Sequence, residues 1–230
     1  MSDQPEVCLV ERFFRGTGLT YDYMVNLCTV GVDVWWKKKI MEKIPEEPKR
    51  IIDQACGTGI LTFKIASAYP RCEVIGVELR DEYLNIAKDK SKALRLGNVQ
   101  FILGRAEDVI LEEGVDCITS SYLAKYADLD VLVPNARKML RSRGLLVMHD
   151  FIAPTSAFFT LIWNLHFRLL KRLGGRKYPS WRTILNELPG LLRETRWVGK
   201  LVGLLQSNAF STIAAERLTF GYSAIVTARK

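Results

Sequence analysis

Apolar positions recur along this chain with two alternating periods. Between residues 50 and 150, short apolar runs of strand length (50–54, 73–78, 99–103, 115–120 and 143–150) are separated by helical spacing over 58–68, 81–95 and 129–140. Strands that alternate with helices imply a parallel sheet with helices on both faces. Ahead of this core, segments 7–14, 20–28 and 30–43 read as helices, the last with Val34, Trp35 and Ile40 on one face and lysines on the other. Pro45-Glu46-Glu47-Pro48 forces an extended connection, because proline is not tolerated in a helix interior. After Pro154 come two helical stretches, 155–172 and 180–205, divided by Gly174-Gly175 and Pro179. Strands over 211–218 and 221–229 then meet at Gly221 as a hairpin. A terminal hairpin added to five parallel strands gives a seven-stranded, mostly parallel sheet with an antiparallel edge strand. Gly97-Asn98 and Ser142-Arg143-Gly144 are placed as left-handed caps. No linker, repeat or low-complexity tract interrupts residues 1–230, which predicts one domain with parts at 1–45, 50–153, 155–205 and 211–229.

Candidate chemistry concentrates at the end of the first strand. Asp53 closes an apolar run, a turn with Gly57 and Gly59 follows, and Glu78 ends the next strand. Glycines there let the chain turn sharply and let a ligand approach the backbone, and an acid at the second strand's end can accept two ribose hydroxyls. An adenosine-containing ligand is therefore expected. A dinucleotide fingerprint needs a third glycine, yet that position is Thr62 in one register, and in the other Ala55 and Ile60 stand where glycines are required. A phosphate-binding Gly-Lys-Ser/Thr ending is also absent.

Composition and charge narrow the surroundings. A hydrophobic fraction of 48% excludes a disordered chain, and 230 residues are enough to bury a substantial core. The net charge of +8 favours an anionic partner, but the cations are scattered, with clusters at 37–39, 141–143 and 168–177, and no basic arm appears. The five cysteines form no zinc-like or C-x-x-C spacing, so no metal is expected. Residues 1–6 are too polar for a secretory signal, and no apolar run reaches spanning length. Cytoplasmic localisation follows as the expectation.

The turn D-x-A-x-G-T-G at Asp53–Gly59, the acid Glu78, the loop Gly104-Arg105-Ala106-Glu107-Asp108 and the segment Arg143–Met148 together resemble a class I S-adenosylmethionine-dependent methyltransferase. Tyr21-Asp22-Tyr23-Met24-Val25-Asn26, with Gly31 and Trp36 behind it, is more specifically similar to the ubiquinone/menaquinone biosynthesis C-methyltransferase family. The resemblance implies a Rossmann-like fold with an N-terminal helical lid (1–45), a cofactor-binding core (50–153) and a helical substrate cover (155–205). It implies S-adenosylmethionine as cofactor, with Tyr21 and Met24 as lid residues and Asp53 at the head of the cofactor turn. Ala55, Gly57 and Gly59 would lie against the methionine, Glu78 on the ribose, and Leu79 beside the adenine. Arg105, Ala106 and Glu107 would follow along the adenine's edge, and Ser120 and Ser121 would sit at the end of the fourth strand. Three departures stand out: Arg105 where the family usually has an acid, Tyr122-Leu123-Ala124-Lys125 where it has Gly-Leu-Arg-Asn, and His149-Asp150-Phe151 where it often has Leu-Glu-Phe.

Methylation of a hydroquinone carbon calls for a base that removes the neighbouring phenolic proton. His149, Asp150 and Tyr122 are the candidates, with only one of the adjacent pair facing the pocket, since successive strand residues point to opposite faces. His166, in an apolar helical stretch, reads as structural. The expected acceptor is a lipophilic small molecule, foremost a demethylmenaquinol. Methylation of phospholipid nitrogen or oxygen is the alternative, and an RNA methyltransferase or a nucleic-acid binder the more distant one. The aromatic and basic stretch 155–177 fits either a core helix or an element in peripheral contact with an anionic inner-membrane surface.

Overall fold

The computed structural model describes residues 5–112 and 114–230; residues 1–4, part of the stretch read as too polar for a signal, lie outside it. Helices α1 (Pro5–Phe14), α2 (Tyr21–Cys28) and α3 (Asp33–Met41) precede β1 (Arg50–Gln54). The core then alternates through α4 (Ile60–Ala68), β2 (Glu73–Glu78), α5 (Asp81–Ala93), β3 (Val99–Leu103), β4 (Val115–Ser121), α6 (Leu129–Met139) and β5 (Leu140–Phe151). Helices α7 (Ala157–Lys177), α8 (Arg182–Glu194) and α9 (Trp197–Ser207) follow, and β6 (Ser211–Leu218) and β7 (Ser223–Arg229) complete the chain.

The seven strands form one sheet in the order β3-β2-β1-β4-β5-β7-β6. The first five are parallel, β7 pairs antiparallel with β5, and β6 pairs antiparallel with β7. Antiparallel pairing thus sits at one edge, as predicted, with the last strand inserted inside the one before it. Strand alternation sends Ile51, Cys117, Leu145 and Val147 to the face covered by α3 and α4, and Ile52, Ile118, Leu146 and Met148 to the face covered by α6 and α9. Each buried aliphatic side chain contributes roughly 1.5–3 kcal/mol relative to exposure. Both faces are therefore dry, which leaves the carboxyl ends of β1, β2, β4 and β5 as the place for polar chemistry.

Several local expectations are corrected. Helix α3 buries Asp33, Trp36, Lys37 and Ile40, while Val34 and Trp35 are exposed, so its inner face is rotated from the one predicted. The reason is a buried ion pair, Lys37 Nζ to Asp33 Oδ1 at 2.5 Å, which hides two charges on the core side. At the end of α5 the left-handed residue is Arg95 (φ 56°), with Leu96 N bonded to the Ser91 carbonyl and Arg95 N to that of Lys92. Asn98 instead places its amide nitrogen 3.0–3.1 Å from the carbonyls of Ala66, Tyr69 and Cys72, tying α4 to β2. Gly174-Gly175 does not break α7, since Gly174 is where α7 crosses α8: a Cβ there would stand 3.3 Å from Leu185 Cδ1. The stretch predicted as one helix over 180–205 is two, parted at Thr195-Arg196, where Trp197 turns inward and its Nε1 donates to the Phe151 carbonyl.

Gly59 caps α4 with φ 90°, and a Cβ on it would lie 2.3 Å from the Phe63 ring. Gly59→Ala should cost about 1–3 kcal/mol from backbone strain alone, read as a lowered urea midpoint with an unchanged slope; an unaltered midpoint contradicts this account of the turn.

Candidate active site

The turn after β1 places three residues in the left-handed region, Ala55 (φ 55°), Gly57 (φ 58°) and Gly59 (φ 90°), which no run of ordinary residues would adopt without strain. Cys56 N donates to the Val77 carbonyl, fastening the turn to β2. Beside it, Glu78 is buried with each carboxylate oxygen accepting one backbone bond, Oε2 from Gly57 N and Oε1 from Arg80 N, both 2.9 Å. Burial raises its pKa, against the pull of these two donors. Each oxygen keeps a lone pair free for a further donor. The space they face is a cavity of about 770 Å³ including its open mouth. Ala55, Gly57, Glu78 and Leu79 wall one side, and Arg105, Ala106, Glu107 and Ser121 another.

Arg105 is held within 3.6 Å of the carboxylates of both Glu107 and Asp108, and Glu107 also accepts from Asp128 N. Asp53 lies beneath the turn rather than in this cavity. Its carboxylate accepts from Thr62 Oγ1 at 2.6 Å and Thr119 Oγ1 at 3.0 Å and borders a smaller space with Lys37 and Tyr122. Burial pushes its pKa up to about 6 in spite of those bonds. Besides Asp53, three residues of the expected cofactor set do not line this cavity. Gly59 is the helix cap, Ser120 is buried on the opposite side of β4 from Ser121, and Met24 packs with Phe13, Trp181 and Leu185 in the helical layer.

A strap covers the cavity. Glu82 accepts from Gly16 N and Gly18 N, Thr17 Oγ1 lies 2.6 Å from Tyr83 Oη, and Asp22 takes bonds from Thr58 Oγ1 and Lys90 Nζ. These contacts hold the Tyr21 ring over Gly57, 5.1 Å from the Tyr83 ring and 6.1 Å from Trp181. A Cβ at Gly18 would meet Glu82 Oε1 at 2.7 Å and so displace the carboxylate that holds the strap.

A second cavity of about 670 Å³ lies beyond and shares Phe14, Tyr21, Tyr122 and Tyr126 with the first. Its other walls are aromatic and aliphatic, among them Phe151, Trp163, Phe167 and Trp181, and its charged lining residue is Lys125. Lys125 Nζ donates to Asp150 Oδ1 at 2.6 Å and to the Tyr122 carbonyl at 3.0 Å, and stands 4.3 Å from the Tyr126 ring centroid. Burial lowers the Lys125 pKa and raises that of Asp150, each opposed by the other's charge.

Tyr122 borders both cavities from a left-handed position (φ 73°), its ring stacked 4.7 Å from Phe151 and its hydroxyl donating to Asp33 Oδ1. Burial and then the Asp33 charge lift its pKa well above a phenol's usual value, so the hydroxyl keeps its proton and donates it in this bond.

His149 and Asp150 do point to opposite faces, but neither lines either cavity, contrary to the expectation that one would. His149 is buried between Trp36 and Tyr122 with Nδ1 3.1 Å from Ser121 Oγ. Burial, then the Lys37 and Lys125 charges, hold its pKa well below the usual value, so it stays neutral. Asp150 reaches the cavity only through Lys125. Lys125, Tyr126, Trp181 and the Asp33–Lys37 pair carried no motif that would single them out.

The model of the ubiE/COQ5 methyltransferase family matches residues 2–230. The chain belongs to that family. It is therefore an S-adenosylmethionine-dependent methyltransferase. Among its relatives, the demethylmenaquinone methyltransferase of Thermus thermophilus is 29% identical over 212 residues, 89% of this chain and 94% of that one. In fold the methyltransferase is similar to geranyl diphosphate C-methyltransferase from Streptomyces coelicolor A3(2), with a TM-score of 0.62 at 14% identity over 86% of this chain and 79% of that one. It is also similar to phosphoethanolamine N-methyltransferase 2 from Haemonchus contortus, with a TM-score of 0.63 at 14% identity over 85% of this chain, which spans about half (52%) of that one. The cavity fits the cofactor. Glu78 offers two free lone pairs at the end of β2, and Gly57, with its φ of 58°, keeps the backbone of the turn bare where it borders the cavity.

Asp53 generates a pH prediction. Between about pH 4 and pH 6 the folded protein keeps a proton that the unfolded chain has released, so stability must fall as pH rises through that window, by roughly 3 kcal/mol in total. Asp53→Asn removes this contribution. Urea unfolding of both proteins from pH 4 to pH 7 should show the wild type losing stability relative to the variant; parallel profiles contradict the assignment.

Proposed function

We propose that this methyltransferase transfers a methyl group to a ring carbon of a lipophilic hydroquinone of the demethylmenaquinol type. The observation that carries the reading is the adjacency of the two cavities. The aromatic-walled one, with Lys125 at its side, shares the wall formed by Phe14, Tyr21, Tyr122 and Tyr126 with the cofactor cavity. Relatives named demethylmenaquinone methyltransferase support this acceptor.

Bound in the first cavity, S-adenosylmethionine supplies an electrophilic methyl group on a sulfonium. The protein's work is to align the acceptor and exclude water. In this reading Glu78 would accept hydrogen bonds from the ribose hydroxyls. Leu79, Arg105, Ala106 and Glu107 would border the adenine, Ala55, Gly57 and Ser121 would face the methionine half, and Tyr21 would close over it. A ring carbon becomes a stronger nucleophile once the neighbouring phenol has lost its proton. The Lys125 ammonium is positioned to hold that phenolate: it passes one proton to Asp150, whose pKa burial raises, and takes the phenol's proton in its place. The ring proton that the methyl group displaces is then lost to solvent as the ring regains aromaticity. Tyr122 then serves as the partition on which acceptor and cofactor meet, and His149 fixes Ser121 from behind. Peripheral contact with an anionic membrane belongs to the same reading, because a prenylated quinol resides there.

Methyl transfer from labelled cofactor into a total lipid extract under reducing conditions tests the proposal. Label in the quinone ring is expected; label confined to phospholipid, or to added RNA, overturns it. Two variants test the roles. Glu78→Ala, which loses two hydrogen bonds to a charged group, should weaken cofactor binding by about 10- to 100-fold in calorimetry. Lys125→Met combined with Asp150→Asn leaves no unpaired buried charge and should lower turnover by about 10²- to 10⁴-fold with cofactor affinity unchanged. Undiminished turnover removes Lys125 from the mechanism.

A further inference from the structure

Helix α7 has two apolar sides. Trp163, Phe167 and Leu170 are buried on one, and the first two wall the acceptor cavity. Phe158, Leu161, Leu165 and Leu169, spaced three or four residues apart and thus on a single stripe, are 55–65% exposed on the other. A helix with one apolar stripe is ordinary; a second stripe facing water needs an occupant.

The exposed stripe is extended at both ends. At one, Phe220 is 73% exposed and stacks on Phe159 with ring centroids 4.8 Å apart. At the other, Leu27 and the 74% exposed Val30 lie across a shallow groove from His166 and Leu169, and the His166 ring fixes this junction through the Cys28 carbonyl at 2.9 Å. Along its length α7 contains no acid, while Arg168, Lys171, Arg172, Arg176 and Lys177 cluster in its second half.

We propose that this outer face of α7, continued by Leu27, Val30 and Phe220, seats the methyltransferase on an anionic lipid bilayer, with the acceptor cavity immediately behind the seated helix. The proposal rests on the reading of the acceptor as a lipid-soluble quinol. Charge selects the occupant. A second copy meeting the same face across a two-fold axis would set two acid-free cationic helices against each other, and a nucleic acid would meet the cations but leave the phenylalanine and leucine stripe uncovered. An anionic bilayer satisfies both features, with the apolar stripe in the boundary of the acyl chains and the cations among the headgroups. No helix among the described residues is long and apolar enough to cross a membrane, so the contact is peripheral. Because α7 is one helix thick between lipid and cavity, the acceptor ring need cross only that wall while its tail stays in the bilayer.

Sedimentation with vesicles of mixed phosphatidylglycerol and phosphatidylcholine, compared with phosphatidylcholine alone, tests the surface. The wild type should bind the anionic vesicles at least tenfold more tightly, and Leu161→Asp with Leu165→Asp should weaken that binding at least tenfold. Neither leucine lines the acceptor cavity, so turnover on a short-chain, water-soluble hydroquinone should be unchanged, while turnover on a vesicle-borne prenylated one falls with the binding. Failure of the wild type to bind, equal binding to neutral vesicles, or a variant that binds as well as the wild type overturns the proposal. A variant that turns a dimer into a monomer without altering vesicle binding also overturns it, assigning the face to a second copy. Vesicle binding without methyl transfer to either hydroquinone instead overturns the acceptor reading and leaves the docking surface standing.

Discussion

The structure depends on how Tyr122 is held. Its backbone sits in the left-handed region at the exit of β4, its ring lies flat on Phe151, and its hydroxyl reaches Asp33 on a helix that precedes the sheet in sequence. Two lysines stand near the ring, with Lys37 Nζ 4.8 Å and Lys125 Nζ 5.4 Å from its centroid. Each lysine is paired with its own buried aspartate, so neither charge is left uncompensated. Removing the ring would expose both pairs to one another and merge the two cavities it separates. The unusual backbone is the cost of placing an aromatic partition at the sheet's carboxyl edge.

Burial of ion pairs seldom adds stability, because desolvation offsets most of the attraction. In the proposed mechanism the Lys125–Asp150 pair beside Tyr122 serves proton transfer rather than stability. Burial lowers the pKa of Lys125 and raises that of Asp150, which narrows the gap between the two partners. The turn side is built differently. Glu78 and the turn at Ala55–Gly59 use backbone donors and left-handed conformations, so recognition there would rest on shape and fixed dipoles.

That difference explains what could be read from the sequence. The apolar runs of β1, β2 and β3 end on an acid or a glycine turn, and their limits at 50–54, 73–78 and 99–103 agree with the structure. The cofactor side is local in sequence, since a glycine pair and an acid one supersecondary unit later suffice to define it. The acceptor side is assembled across the fold. Lys125 and Asp150 lie 25 residues apart, and Tyr21 meets Trp181 only because α8 folds back over α1 and α2. Periodicity misjudged α3 for the same reason, since Asp33 and Lys37 look like a solvated face until each is seen to bury the other. His149, one of three candidate bases at the carboxyl edge of the sheet, is instead buried against Trp36 and lines neither cavity.

The central claim is that cofactor and acceptor meet at Tyr122, with the acceptor's oxygen beside Lys125. A crystal structure of the ternary complex with S-adenosylhomocysteine and a reduced short-chain naphthoquinol tests it most directly. The account predicts the sulfur on the Tyr122 side of the first cavity, a ring carbon placed so that a methyl on that sulfur would lie about 3–3.5 Å away, and a quinol oxygen within hydrogen-bond reach of Lys125 Nζ. A quinol bound outside the cavity walled by Phe151, Trp163 and Phe167, or one whose oxygens do not approach Lys125, contradicts it.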